Sequence, residues 1–259
     1  MKECDSVKKE AMLNIFGIML VIISLILSFV FKYKYFYEIL LIGMSLFLYK
    51  YTKNKLQMSL ILKLFLIYFI LGIVCDLVIA RNLLLLWSYE FNLIEEIILY
   101  IVIYPMGGFV MLQSYLAVID EKKLKVNKTP NKYIILFWII LLILLFIITK
   151  IICFNYNLII FGTLSLVFTC ILEIINNYKI SFTSLLINNY KKIVPKILII
   201  TLINALLHEI PNVFSKEWIY GGFMFTVTIL NVPVIVLIGW IFLLIAPVIF
   251  YYLCVNYEK

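Results

Sequence analysis

The sequence predicts an all-α fold: a polytopic helical membrane protein of about eight transmembrane helices. Three observations predict it. Of the 259 residues, 65% are hydrophobic and 14% charged, with a mean hydropathy of +1.12; soluble chains are nearer half apolar and a quarter charged. Apolar runs near the ~20 residues that cross a bilayer recur along nearly the whole length. The longest polar stretch is under about 20 residues, too short to fold as a soluble domain. These observations exclude a water-soluble globular protein, and also disorder, which needs few apolar residues. One integral membrane domain is expected over residues 1–259.

The first span, Met12–Phe31, is too long for a signal-peptide core and no small-residue cleavage site follows it, so it is expected to stay as a helix. The second, Tyr35–Tyr49, is short and relies on Lys34 and Lys50 reaching the interfaces. Met58–Ala80, Glu96–Ile119, Tyr133–Thr149 and Leu158–Ile175 follow. The seventh, Ile193–Leu207, carries Pro195 and Lys196 in its first turn, where proline is tolerated. The eighth is Val234–Leu253. Just before it, Gly221–Val232 is apolar but broken by Gly221, Gly222 and the following Pro233. It reads as an interfacial or re-entrant segment; the alternative is one long kinked helix.

Lysine placement orients these spans. Of the 22 lysines and arginines, 16 fall at the termini and in even-numbered loops, including Lys2, Lys53, Lys122, Lys179 and Lys259. Five fall on the other side: Lys32, Lys34, Arg81, Lys150 and Lys216. Positive residues stay cytoplasmic, so a cell-membrane protein with both termini in the cytoplasm is expected. The net charge of +8 is thus a topology signal and implies no nucleic-acid partner. The five cysteines form no CxxC pair and read as packing residues.

Six of the 14 acidic residues fall at the outer end: Asp76, Glu90, Glu95, Glu96, Glu209 and Glu217, with the only histidine, His208. Two loops echo each other there. One reads Asp76, Arg81, Trp87-Ser-Tyr89, Glu95-Glu96; the other reads His208-Glu209, Trp218-Ile-Tyr220. The Trp-x-Tyr motifs lie 131 residues apart, and each precedes the last span of a four-span half. An even number of spans per half predicts a parallel 4+4 repeat, residues 1–125 and 126–259, about an axis along the membrane normal. Interfacial preference alone would also place Trp and Tyr there.

Three spans carry polar or aromatic stripes at helical spacing. They are Tyr68, Gly72 and Asp76; Glu96, Tyr100, Tyr104, Gly107, Met111 and Tyr115; and Thr201, Asn204 and His208. Ionisable groups at membrane depth are costly and read as functional. Asp76, Glu95, Glu96, His208 and Glu209 are therefore the candidate catalytic residues. Trp87, Tyr89, Tyr100, Trp218 and Tyr220 are the candidate substrate wall. Helix–helix hydrogen bonding suffices for Thr201 and Asn204. Arg81 is expected to pair with Asp76, Glu95 or Glu96, and Glu173 to be a helix-end residue.

Several reaction classes drop out. One histidine cannot build a multi-histidine zinc site, and His208-Glu-Ile-Pro-Asn212 has Asn where HExxH needs its second His, with Pro211 expected to break the helix. There is no Gly-x-Ser-x-Gly and no P-loop. Glu95-Glu96 with His208-xxx-Asn212 matches only fragments of the CAAX-type intramembrane endopeptidases. No cofactor and no metal are expected.

The order Asp76, Arg81, Trp87-x-Tyr89, Glu95-Glu96 resembles the lycopene cyclase domain, although Leu93 stands where that pattern has proline. Glu209, Trp218-x-Tyr220, Asn231-Val-Pro233 and Gly239-Trp240 are similar to the end of the carotenoid hydratase family. Together they cover about a third of the chain. The resemblance implies cofactor-independent acid–base chemistry on an isoprenoid substrate. Glu95 or Glu96 would be the acid and Glu209 or Asp76 the base. Trp87, Tyr89, Trp218 and Tyr220 would stabilise a carbocation by cation–π attraction. Two other classes stay open: a lipid or small-solute transporter or binding protein, and a non-catalytic membrane assembly factor. Membrane lipids are expected partners in each.

Overall fold

The computed structural model describes residues 2–125, 127–152, 156–220 and 227–258. Lipid offers no hydrogen-bond partner, so a backbone crossing it satisfies itself within helices. The Leu-, Ile- and Phe-rich runs do so as α1 (Lys2–Phe31), α2 (Phe36–Thr52), α3 (Met58–Leu83) and α4 (Leu93–Val118) in the first half. The second half holds α5 (Asn131–Ile152), α6 (Tyr156–Asn176), a short α7 (Phe182–Asn188), α8 (Tyr190–Ser215) and α9 (Val234–Glu258). Among the described residues seven helices are long and apolar enough to cross a membrane. The remaining predicted span, α2, has 17 residues, about 25 Å at 1.5 Å per residue.

Three close contacts organise the bundle. Helices α1 and α2 form a hairpin whose backbones touch at Gly17 and Gly43; a Cβ on Gly43 would lie 2.8 Å from Val21 N and 2.9 Å from Gly17 O. Small residues at a crossing permit that approach. Helices α3 and α4 interlock reciprocally: the Tyr68 ring lies over Gly108, and the Tyr104 ring lies over Gly72. Helices α4 and α9 meet through the Tyr115 and Tyr252 hydroxyls, 2.9 Å apart.

The lysine-rich loops lie together at one end. Lys53 pairs with Glu10, Lys196 donates to Val118 O at 3.0 Å, and Asn189 bonds both backbone groups of Lys125. Glu173, fully buried, accepts the backbone N–H groups of Phe182 (3.2 Å) and Thr183 (2.5 Å). It thus caps α7, a helix the sequence pattern did not indicate, because seven residues show too little periodicity.

At the opposite end the two Trp-x-Tyr segments are strands β1 (Trp87–Tyr89) and β2 (Trp218–Tyr220). They pair with each other, antiparallel: Trp87 with Tyr220, Ser88 with Ile219, Tyr89 with Trp218. The order hairpin, long helix, Trp-x-Tyr strand, last helix occurs in each half.

One expectation and one alternative need correction. Helix α8 does not end at Leu207 but runs through Pro211 to Ser215. Proline leaves one turn of the ladder short of a donor, while the Pro211 carbonyl accepts from Ser28 Oγ at 2.7 Å and Ser215 Oγ at 3.2 Å. Neighbouring side chains support such a proline within a membrane bundle. Of the segment Gly221–Val232, residues 221–226 lie outside the described residues. The rest forms a tight hairpin of β3 (Thr228–Ile229) and β4 (Val232–Pro233), with Leu230 and Asn231 left-handed (φ 50° and 63°), and not a helix.

Candidate functional site

The ribbon lies over the ends of α3, α4, α8 and α9. Cross-strand partners share a face, so the four aromatic rings of β1 and β2 are half-buried together while Ser88 and Ile219 are exposed. Beneath the rings are two buried carboxylates, one from each half of the chain.

Asp76 is the first, 3% exposed. It sits in a stretch of α3, Gly72–Leu83, wound as π-helix, where Leu84 N donates to Ile79 O at 2.9 Å. Its partner Tyr100 sits in a second π-turn, Leu99–Ile103 of α4. Such insertions re-aim side chains and recur at functional sites. Trp87 Nε1 donates to Asp76 Oδ1, and the Tyr100 hydroxyl donates to Oδ2 at 2.7 Å. Arg81 joins this group by donating to the Tyr100 hydroxyl (2.9 Å) and to Glu96 Oε1 (2.7 Å), with its guanidinium 5.3 Å from the Tyr89 ring centre. Its carboxylate partner is therefore Glu96. The Tyr89 and Tyr104 hydroxyls are 3.0 Å apart.

Glu209 is the second, also 3% exposed. The Tyr220 hydroxyl and Trp240 Nε1 both donate to its Oε1 at 2.8 Å. Trp218 Nε1 donates in turn to the Tyr220 hydroxyl at 3.1 Å. Asn212 holds β2 against α8, accepting from Trp218 N at 3.0 Å and donating to Trp218 O at 2.9 Å. The two carboxylates thus bind opposite members of one cross-strand pair, Trp87 and Tyr220. Burial first, and then the charge of Asp76, pushes the Tyr89 hydroxyl well up; burial and the charge of Glu209 do the same for Tyr220. Both hydroxyls stay protonated at neutral pH.

His208 is fully buried between two rings, 4.7 Å from Trp240 and 5.1 Å from Tyr37. Its Nδ1 lies 2.5 Å from Asn204 O. A carbonyl only accepts, so Nδ1 carries the proton. Its Nε2 is buried with no hydrogen-bond partner among the described residues. The same holds for Asn204 Oδ1 and Thr201 Oγ1, on the two preceding turns of the same helix face. Beside this group Glu217, 1% exposed, accepts the Tyr37 N–H at 3.3 Å. Burial and then the neighbouring Glu38 carboxylate push its pKa well above the usual range.

The fold therefore brings Asp76, Glu96, Trp87, Tyr89 and Tyr100 into one group, and His208, Glu209, Trp218 and Tyr220 into another. Glu95 joins neither. It closes a capping box on α4, accepting from Asn92 N at 2.8 Å while Asn92 Oδ1 accepts from Glu95 N at 3.0 Å, and it also accepts from the Tyr35 hydroxyl. The spacing Asn92-x-x-Glu95 carries that signature in the sequence. Three members that sequence reasoning left out of the site are Tyr37, Tyr104 and Trp240. Tyr104 stands in the α4 stripe and Trp240 in the C-terminal motif; Tyr37 gives no sequence signal. Among the described residues no group of three or more His, Cys, Asp or Glu could hold a metal ion. No family model, curated protein or solved structure matches the chain, so nothing in those comparisons bears on the carotenoid resemblance.

Proposed function

We propose that this multi-pass protein is a cofactor-independent acid–base enzyme acting on an isoprenoid chain in the cell membrane, with both termini cytoplasmic. The observation that carries the reading is that the buried Glu209 carboxyl and the unpartnered Nε2 of His208, on consecutive residues of α8, both lie among the Tyr37, Trp218, Tyr220 and Trp240 rings. Protonated Glu209 would add H⁺ to a double bond. The carbocation would face the aromatic rings, whose negative faces attract cations. His208 Nε2 would then remove a proton from the neighbouring carbon, giving isomerisation or cyclisation, or would deprotonate an attacking water, giving hydration. The proton gained by His208 returns to Glu209, so the cycle needs no cofactor. Asp76, locked by Trp87 and Tyr100, would position the other half of the ribbon. Glu96 would act through Arg81.

The test is expression in a carotenoid-producing host, with pigments separated by chromatography. The wild-type chain should shift the profile; Glu209→Gln and His208→Ala should restore the host pattern at equal membrane abundance. An unchanged profile with abundant wild-type chain refutes the reading. A second reading, transport of a lipid or small solute, is favoured by the unpartnered atoms of Thr201, Asn204 and His208, which extend the polar stripe down α8. Flux into proteoliposomes distinguishes it.

A further inference from the structure

The connection from α4 to α5 carries Lys122, Lys123, Lys125 and Lys128, and Lys132 follows on the first turn of α5. All five are exposed. Orienting a chain across a membrane needs only charge in a loop, and a loosely held loop would serve. This one is pinned along its backbone. Asn189 Oδ1 accepts from Lys125 N and its Nδ2 donates to Lys125 O, both at 2.9 Å. Asn188 Nδ2 donates to Asn127 O at 2.8 Å. Ser184 Oγ accepts from Thr129 N at 3.3 Å, and Asn177 Nδ2 donates to Thr129 O at 2.7 Å. Of these four pins Asn177, Ser184 and Asn189 are buried. Backbone groups that would otherwise turn to water are satisfied by the protein, so the strap holds its shape with its lysines outward.

The same grip brings two more lysines to the strap. Asn189 directly precedes the first turn of α8, where Lys191 and Lys192 are exposed. The two acidic side chains of the connection are engaged elsewhere: Asp120 pairs with Lys123 at 3.0 Å, and Glu121 accepts from the Tyr252 hydroxyl at 2.5 Å. Neighbouring rings fix the depth. Lys132 Nζ lies 5.1 Å from the Tyr133 ring centre and Lys191 Nζ 5.9 Å from that of Tyr190, and both rings are exposed. Exposed tyrosines at the ends of membrane spans sit at headgroup level. Directly after Tyr133, α5 turns the exposed Ile135 and Leu136 outward, as a lipid-facing helix does.

We propose that the pinned strap, with Lys191 and Lys192, binds the headgroups of anionic phospholipids in the leaflet at the lysine-rich end. Lysines clustered beside a membrane helix attract such lipids by about five-fold each. A strap already held in place meets little ordering cost on binding. The exposed tyrosines and the apolar first turns of α5 suit a lipid surface, and an acidic protein would have no use for them. The proposal does not depend on chemistry at the ribbon: a chain that leaves pigments unchanged still has this strap.

The test is native mass spectrometry of the full chain in detergent, titrated with dioleoyl phosphatidylglycerol or dioleoyl phosphatidylcholine, which differ only in headgroup. The wild-type chain should bind phosphatidylglycerol more tightly. The triple variant K122Q/K125Q/K128Q should lower that preference by about five-fold or more, the worth of at least one lysine. The same number of changes at the opposite end, K32Q/K150Q/K216Q, should leave it. Asn189→Ala keeps every charge but releases the strap, and should lower the preference by about five-fold, the cost of ordering one residue afresh. Asn188→Ala serves in its place if Asn189→Ala does not fold. Equal binding of the two lipids by the wild type overturns the proposal and leaves the strap to an acidic protein. Equal losses in the two triple variants, or full preference in the released strap, overturn it as well.

Discussion

Replacing Trp240 by Phe isolates one bond in the second carboxylate group. The substitution keeps a smaller aromatic ring against His208 and removes the Nε1–H that reaches Glu209 Oε1 at 2.8 Å, with a packing loss that is common to both arms below. A hydrogen bond to a charged acceptor is worth ~1.5–3 kcal/mol, one to a neutral acceptor ~0.5–1.5 kcal/mol. For a domain of this size each kcal/mol moves Tm by about 2–4 °C. An ionised Glu209 therefore predicts a fall of about 3–12 °C from the bond alone, and a protonated one about 1–6 °C, each added to the packing loss. The assay is thermal unfolding in detergent, followed with a thiol-reactive dye on the partly buried Cys75, Cys170 and Cys254. The second arm uses Glu209→Leu, which leaves the Trp240 and Tyr220 donors without their acceptor, at ~1–3 kcal/mol each. In that background Trp240→Phe removes an orphan, and should cost clearly less than in the wild type. An equal loss in both backgrounds would show that Trp240 acts through packing alone and would refute the carboxylate network.

The other predictions concern the supports of the site. Glu217 has a raised folded pKa, so the folded state favours its protonated form; stability should be full below the ordinary carboxylate pKa and decline as pH rises above it. Glu217→Gln should therefore raise Tm at pH 8 and leave it nearly unchanged at pH 4, and an identical shift at both would count against a titrating Glu217. Gly43→Ala would put a methyl 2.8 Å from Val21 N, forcing α1 from α2 at a cost of ~1–3 kcal/mol; an unchanged Tm would contradict the close crossing. Asn212→Ala removes both bonds to the Trp218 backbone and should cost ~1–3 kcal/mol. Hydrogen exchange should then accelerate at Trp218 but not at the lysine-rich end, and equal protection in the variant would mean that the strand is held by its pairing alone.

Much of the fold is legible because membrane helices declare themselves by length and hydropathy. The ends of α5 and α6, for instance, fall within about three residues of the apolar runs that predict them. The α8 terminus is not legible in the same way. His208, Glu209 and Pro211 look like the end of a span, and only partners from other elements, Tyr220 and Trp240 on Glu209 and Ser28 on the Pro211 carbonyl, make them helix interior. Glu95 shows the reverse case: its place beside Glu96 suggests chemistry, while its spacing from Asn92 encodes the cap that the structure shows.

The sequence by itself determined the all-α membrane class, the alternation of lysine-rich and carboxylate-rich ends, and the two Trp-x-Tyr motifs. These are local or additive properties: transfer free energy summed along a span, charge counted in a loop, alternation over three residues. Only the tertiary structure decided that the two motifs, 131 residues apart, pair with one another, that Asp76 and Glu209 bind opposite members of one cross-strand pair, and that Arg81 chooses Glu96. The physical reason is that a buried polar group is satisfied by whatever reaches it in space. Pairing Trp87 with Tyr220 depends on how the helices pack, which no window of sequence contains.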